Sequence, residues 1–186
     1  MSMIRKMSPA LEELPYLKQP LEPGERLLVE KLNDSLPMDW EIYVQPHLNG
    51  LCPDIVLLNP FVGIVIIEVK DWNFSAMNYH WEVSTKGSIK TLLATKDGKT
   101  FRVENPLEKA RLYSYELQNL YCPSVGDRGD FAPVVSSVVF FSKLPTRSAK
   151  QFVRDGFGDT GNTDRVIDLY YPAIGGDALD SDLSKL

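Results

Sequence analysis

The sequence contains few of the residues that build disulfide frameworks or zinc sites. It has two cysteines, Cys52 and Cys122, and two histidines, His47 and His80, among 186 residues. Neither cysteine belongs to a CxxC pair, and neither histidine has a cysteine or histidine partner at metal-ligand spacing. A structural zinc site and a disulfide scaffold are therefore not expected, and the sparse cysteines indicate a reducing, cytoplasmic setting.

Long apolar segments are also absent. No run approaches the roughly 18 apolar residues that suggest a membrane span. Residues 1–20 contain charged residues and prolines instead of the apolar stretch of a signal peptide. We therefore expect no membrane partner.

Positive charge is not in excess, but it is unevenly distributed. The net charge of −5 does not suggest a general nucleic-acid-binding protein. However, residues 86–111 carry seven lysines or arginines against three acids, whereas residues 155–186 carry seven aspartates against two basic residues. A basic face of this kind is able to meet a phosphate backbone, and a solvated hairpin explains the same pattern.

Secondary-structure signals alternate between helix and strand along most of the chain. Helical patterns cover residues 24–36 and 106–121, the second opened by Asn105 as a cap and Pro106 at its first position. Apolar or alternating runs predict a hairpin of two strands within residues 53–72, with its turn at 59–63, and further strands near residues 40–46, 77–84, 88–95, 99–105, 133–142 and 165–171. This mixture predicts an α/β fold with a mixed β-sheet core flanked by helices.

The predicted organisation has three parts. Residues 1–23 contain four prolines and are expected to form an irregular lead-in. Residues 24–175 are expected to form one domain, which fits the usual size range. Residues 176–186 form an acidic C-terminal tail.

The stretch "PDIVLLNPFVGIVIIEVKDW", residues 53–72, predicts a buried hairpin with charged residues at its ends. Folding it symmetrically about Phe61 sets Ile55 against Ile67 and Asp54 against Glu68. Directly opposed side chains have Cβ atoms roughly 5 Å apart, so two carboxylates there repel unless a positive charge separates them. Mg²⁺ uses one or two carboxylates together with water and phosphate oxygens. The hairpin ends therefore predict a divalent-metal site, unless they simply emerge into solvent beside a lysine.

Two further residues extend this site. Lys70 shares the strand face of Glu68. An ammonium group there is able to orient or help deprotonate an attacking water, or to neutralise the charge that develops on a phosphorane. Glu25 lies on the apolar stripe of the first predicted helix, where a carboxylate is costly unless it is paired or metal-bound. Its place in the first helical turn, which favours negative charge, offers a purely structural explanation.

The order helix acid, Asp, Glu-x-Lys, helix resembles the PD-(D/E)xK restriction-endonuclease-like superfamily, and more narrowly its nuclease-related domain (NERD). The resemblance spans about residues 24–142 in four stretches: "GERLLVEKL", "PDIVLLNPFVGIVIIEVKDWN", "NPLEKARLYSYEL" and "VVSSVVFFS". It implies Mg²⁺- or Mn²⁺-dependent cleavage of nucleic acid by a restriction-endonuclease-like fold.

The resemblance also implies residue roles. Asp54 and Glu68 would be metal ligands, with the Val69 carbonyl a third; Lys70 would be the catalytic lysine, and Glu25 an additional acid. One position departs from the family pattern: the second helix usually begins Asn-Pro-x-x-Gln, whereas Lys109 stands at the fifth position here. A lysine is able to contact phosphate but cannot accept a hydrogen bond.

These observations predict a nuclease domain with DNA as the preferred substrate, although the sequence does not distinguish DNA from RNA. The candidate nucleic-acid contacts are the basic residues Lys96, Lys99, Arg102, Lys109 and Arg111. The alternative is a non-catalytic nucleic-acid-binding or regulatory module that keeps the nuclease fold. The C-terminal stretch is similar to the point where some family members continue into a helicase, so an attached or associated helicase is a further expectation.

Overall fold

The computed structural model describes residues 5–83, 90–121, 134–157 and 164–180. Its centre is a six-stranded mixed sheet with the spatial order β1-β2-β3-β4-β8-β9. The six strands are β1 (Met7–Ser8), β2 (Glu41–Val44), β3 (Ile55–Asn59), β4 (Gly63–Lys70), β8 (Val135–Phe141) and β9 (Ala173–Gly175). The α/β class and the mixed sheet predicted from the sequence are confirmed.

Strand β4 lies at the centre of this sheet and receives both kinds of pairing. It pairs antiparallel with β3, with Ile55 opposite Ile67 and Leu57 opposite Val65. On its other edge it pairs parallel with β8. The register expected from symmetric folding of the hairpin is therefore confirmed within the ladder.

Helices cover both faces of the sheet, and their bounds are α1 (Pro23–Ser35), α2 (Pro106–Glu116), α3 (Thr146–Asp155) and α4 (Asp164–Tyr170). Helix α1 packs against one face, where Leu28 and Leu32 join Ile67 in the main apolar cluster. Helix α2 packs against the opposite face, where Tyr113 joins Ile66. Because strand side chains alternate, odd-numbered β4 residues meet α1 and even-numbered ones meet α2.

A second sheet has three antiparallel strands, β5 (Asn78–Glu82), β6 (Thr91–Lys96) and β7 (Lys99–Arg102). Asp97 and Gly98 form the β6–β7 turn with φ values of 51° and 74°, as expected for a tight hairpin turn. Trp81 of β5 docks this sheet onto α3 by donating to the Phe152 carbonyl at 2.7 Å.

The prediction of a strand at residues 165–171 is wrong. Most of this stretch is helix α4, and the following Ala173–Gly175 supplies the edge strand β9. Helical spacing places Asp164 and Asp168 on one side, where both bind Arg154 of α3. A short apolar run does not by itself distinguish helix from strand, and this tertiary ion pair favours the helix. Helix α3 itself was not predicted.

The two ends of the described chain contribute to the fold. The segment expected to be irregular carries β1 and a 3₁₀ helix, Leu11–Tyr16, whose Leu14 is buried in the main apolar cluster. The first residues of the acidic tail form another 3₁₀ helix, Gly176–Asp180, in which Leu179 is buried. None of the helices in the described ranges has the length and apolar character needed to span a bilayer.

Candidate functional site

Strand β4 places Glu68 on the α2 face of the sheet. Glu68 lies next to Val139 of β8 in the parallel ladder, and its side chain is 0% exposed. A fully buried carboxylate needs partners, because desolvation of an unpaired charge costs several kcal/mol or more. The residues around it therefore define the site.

Two ammonium groups bind the same oxygen of Glu68. Lys70 Nζ lies 2.5 Å from Glu68 Oε1, and Lys109 Nζ lies 2.8 Å from it. Burial by itself would lower the pKa of Lys109, but its hydrogen bond and attraction to Glu68 raise that pKa above the ordinary value. The other oxygen, Glu68 Oε2, is buried and has no hydrogen-bond partner among the residues that the structure describes.

Lys109 reaches Glu68 from the first turn of α2. That turn begins where the sequence predicted, since the Asn105 side chain accepts a hydrogen bond from the Leu107 N–H at 2.9 Å. The helix packs on the β4 face that carries Glu68. The Asn105 cap and this packing together bring the ammonium group of Lys109 to the buried carboxylate.

Asp54 lies immediately before β3, at the same end of the hairpin. Its Oδ2 accepts a hydrogen bond from the Val69 N–H at 2.7 Å. Burial, followed by the charge of Glu68, raises the pKa of Asp54 from 3.8 to about 7. The charges of the two carboxylates therefore act on each other.

The Val69 carbonyl points towards the same side of β4 as Asp54. Lys70 O accepts from Ser142 N, on the β8 side. Successive carbonyls of a strand alternate in direction, so the Val69 carbonyl faces the β3 side. The antiparallel register ends at the Ile55–Ile67 pair, which leaves this carbonyl beyond the last ladder position.

Glu25 approaches from the helix on the opposite face. It is 6% exposed and lies on the buried side of α1, as the helical stripe predicted. Its Oε2 accepts from the Glu22 N–H at 3.0 Å, a capping contact. Burial is the main cause that raises the pKa of Glu25, and the charges of Asp71 and Glu68 add to it. The structure thus brings Glu25 within electrostatic range of the site and also gives it a structural role.

Two contributors to this region were missed by sequence reasoning. Asp71, directly after Lys70, accepts a hydrogen bond from Gly24 N at 2.7 Å and thereby attaches the start of α1 to the end of β4. Tyr113 donates to the Cys52 carbonyl at 3.1 Å, while Lys109 Nζ lies 5.7 Å from its ring centroid. The i,i+4 spacing of Lys109 and Tyr113 on one helix was the available signal.

The remaining predicted basic contacts are separated by the fold. Lys96 and Lys99 flank the β6–β7 turn and are exposed, while Arg102 lies at the other end of β7, near the start of α2. Strand rise separates the ends of β7 by about 10 Å. Arg111 is exposed on α2. Of the five candidates, Lys109 is the one whose contacts place it at Glu68. Lys86, part of the predicted basic run, lies outside the described residues.

Trp72, His47 and His80 have ordinary surroundings. Trp72 stacks on Tyr79 with ring centroids 4.4 Å apart, which favours packing at the strand end over a free base-stacking position. His47 is exposed, and His80 contacts the Asn78 carbonyl at 3.2 Å.

The oxygen donors of the site are of the chemical type that binds hard divalent cations. Asp54, Glu68 and the Val69 carbonyl offer oxygen ligands, and Glu68 Oε2 is a buried oxygen that lacks a partner. Mg²⁺ takes one or two carboxylates and completes its shell with water and phosphate. Over the ranges that the structure describes, no group of three or more His, Cys, Asp or Glu side chains is arranged to hold a metal ion. The available ligand oxygens thus belong to two carboxylates and one carbonyl. Lys70 and Lys109 contact one of these carboxylates, that of Glu68.

The comparison with protein families gives one match: the model of the nuclease-related domain, NERD, matches residues 21–142, well over half of the chain. No curated protein and no solved structure matches the chain. The matched range begins just before α1 and ends just after β8, and it includes every residue of the site described above.

Proposed function

The chain belongs to the nuclease-related domain family, and from this premise we propose that it is a metal-dependent nuclease domain that hydrolyses phosphodiester bonds of DNA. The observation that carries the proposal is the end of β4. There a buried Glu68 with one unpartnered oxygen lies within electrostatic reach of Asp54. A buried carboxylate pair of this kind is costly for folding alone, which favours a functional role.

The site residues divide into ligands and a catalytic cation. Asp54, Glu68 and the Val69 carbonyl would hold Mg²⁺ or Mn²⁺, which when bound supplies positive charge to phosphate oxygens and acidifies a water molecule. Lys70 places an ammonium group beside the same carboxylate, where it would orient the attacking water or neutralise charge that develops on phosphorus. Glu25 would support the site through its charge.

The decisive experiment compares cleavage by the parent protein and two lysine variants. The parent should cut single-stranded, duplex or branched DNA when Mg²⁺ or Mn²⁺ is added, and chelation should stop the reaction. Lys70→Ala should abolish cleavage while circular dichroism reports an unchanged fold. Lys143→Ala is the matched control, because Lys143 is an exposed neighbour whose Nζ donates to the Asp71 carbonyl. An inactive parent on all three substrates with both metals would contradict the proposal.

The exposed basic residues supply a separate test of the nucleic-acid surface. If Lys96, Lys99 and Arg102 contact phosphates, replacing all three by glutamine should weaken duplex binding. It should also reduce the slope of log K against log salt by roughly 0.9 for each lost contact. An unchanged slope would place the nucleic-acid surface elsewhere on the molecule.

The second candidate function is a non-catalytic nucleic-acid-binding or regulatory module. The observation that favours it is Lys109, which already compensates the charge of Glu68. Such a module predicts no metal-dependent cleavage by the parent protein and a modest loss of DNA affinity in Lys70→Ala. An attached or associated helicase belongs to either proposal as the expected partner, and co-purification of the protein with a helicase would test it.

A further inference from the structure

Glu68 has two ammonium groups beside one of its two carboxylate oxygens. Both Lys70 Nζ and Lys109 Nζ lie within 2.8 Å of Oε1, whereas Oε2 has no partner in the described part of the chain. The two ammonium groups repel each other at Oε1, and Lys109 is also attracted to Asp54. Oε1 thus has two cationic partners and Oε2 has none among the described residues, although both belong to one carboxylate. This asymmetry needs an explanation.

The two lysines differ in how they are held. Lys70 is the last residue of β4, its side chain is 14% exposed, and its Nζ lies 6.0 Å from the Trp72 ring centroid. Lys109 extends along the Tyr113 ring, and its Nζ also lies 3.7 Å from Glu104 Oε2. The side chain of Glu104 is 65% exposed. The reach of Lys109 therefore extends from the buried carboxylate to the surface.

We propose that Lys109 is a displaceable counter-ion of Glu68, which stabilises the metal-free site, leaves Glu68 when a divalent cation binds, and then contacts a phosphate of the nucleic acid. The inference rests on the proposed function and adds that Lys109 sets the affinity of the site for the metal. Divalent cations compete with the ammonium group for the same carboxylate. After release, Lys109 offers three hydrogen-bond donors and no acceptor, which suits phosphate oxygens.

The first test is calorimetric titration of Mn²⁺ and of Mg²⁺ into the parent protein and into Lys109→Gln. The variant should bind Mn²⁺ roughly tenfold more tightly, because about 1.4 kcal/mol of lost competition corresponds to tenfold in a binding constant. The matched control is Lys6→Gln, which makes the same charge change in another 2.8 Å ion pair, with Glu41. The affinity of the control should equal that of the parent.

Two further readouts separate displacement from a purely structural role. Without metal, Lys109→Gln should have a lower melting temperature than the parent, and saturating Mn²⁺ should raise that temperature more than in the parent. In saturating Ca²⁺, the variant should bind duplex DNA more weakly, with a log–log salt slope smaller by roughly 0.9, the value for one phosphate contact. Lys109→Met, which keeps the aliphatic stem over Tyr113, replaces the glutamine variant if that one does not fold.

The outcomes distinguish the inference from the proposed function. Equal Mn²⁺ affinity in the parent, Lys109→Gln and Lys6→Gln would overturn the displaceable counter-ion and leave the nuclease proposal intact. Absence of Mn²⁺ and Mg²⁺ binding in both the parent and Lys109→Gln would refute the metal site, and both proposals with it. Tighter binding by Lys109→Gln alone supports the inference even if DNA cleavage is not detected.

Discussion

Two groups of charged residues in this molecule have opposite arrangements. At the end of β4, one carboxylate, Glu68, lies between two lysines and is fully buried. On the α3 surface, defined here by Arg154, Asp164, Asp168 and Asp177, one guanidinium lies between two aspartates. Arg154 binds Asp168 through two hydrogen bonds of 3.1 and 2.6 Å, and its side chain is 26% exposed.

The difference shows which group serves the fold. The bidentate pair on the α3 surface has its donors and acceptors matched and remains in contact with water, so it fixes α4 against α3 at little desolvation cost. In the β4 group the carboxylate is fully buried, two lysines share one of its oxygens, and the other oxygen has no partner among the described residues. An arrangement that is unfavourable for stability is expected where a ligand will complete it.

The largest expected effect comes from removing the central charge of each group. Glu68→Gln leaves two partly buried ammonium groups without their carboxylate, and we expect it to lower the free energy of unfolding by about 3 to 5 kcal/mol. Asp168→Asn on the α3 surface should cost within about 1 kcal/mol. Urea unfolding of the metal-free proteins measures both values. Equal losses would remove the distinction between the two regions.

A smaller effect, of opposite sign in the two regions, is expected in the dependence of stability on pH. Burial and Glu68 raise the pKa of Asp54 from 3.8 to about 7, so the folded protein keeps a proton that the unfolded chain has released. The stability from protonated Asp54 is complete below 3.8 and is lost as pH rises through about 7. Above that pH, the metal-free Asp54→Asn variant should be more stable than the parent, because its amide carries no charge that burial and Glu68 disfavour.

Asp177 provides the control with the reverse sign. Its hydrogen bonds from the Thr146 hydroxyl and N–H lower its pKa. The stability that it contributes is therefore present above its unfolded pKa and is lost as pH falls through the folded value. Asp177→Asn should remove that loss at acidic pH and should not stabilise the protein at alkaline pH. Unfolding measured from about pH 3 to about pH 8.5 in chelator tests both signs. Parallel pH profiles for the two variants would contradict the assignment.

The smallest expected effect concerns Glu25. Glutamine keeps an acceptor for the Glu22 N–H, so Glu25→Gln should change the free energy of unfolding by less than about 0.5 kcal/mol. Its lost negative charge should weaken Mn²⁺ binding a few-fold, as a charge acting through the protein would. Glu30→Gln, on the exposed side of α1, is the matched control. If the two variants have the same Mn²⁺ affinity, Glu25 is only a helix-terminal acid.

The sequence was most informative where structure depends on local pattern. Alternation of apolar residues and a short turn determined the β3–β4 register, because a slip of one residue would reverse the face of every side chain. The same alternation placed Glu68 and Lys70 on one face. The cap at Asn105 and the buried stripe of α1 follow from equally local rules.

Contacts between distant segments were not accessible in this way. The helical state of residues 164–170 depends on Arg154 in another helix, and the short apolar run allowed a strand equally well. The attachment of α1 to the end of β4 depends on Gly24, where a Cβ atom would lie 1.9 Å from Asp71 Oδ1. No periodicity in the sequence indicates that close approach.

The sequence by itself determined that Asp54, Glu68 and Lys70 share the end of one hairpin, because a hairpin is specified by its own residues. Only the tertiary structure decided the contacts of Glu68. Helix α2 brings Lys109 Nζ to 2.8 Å from Oε1, and Oε2 stays buried without a partner among the described residues. The physical reason is that a charge–charge contact depends on where two separate elements pack. Packing sums weak interactions over the whole core, and no single stretch of sequence contains that sum.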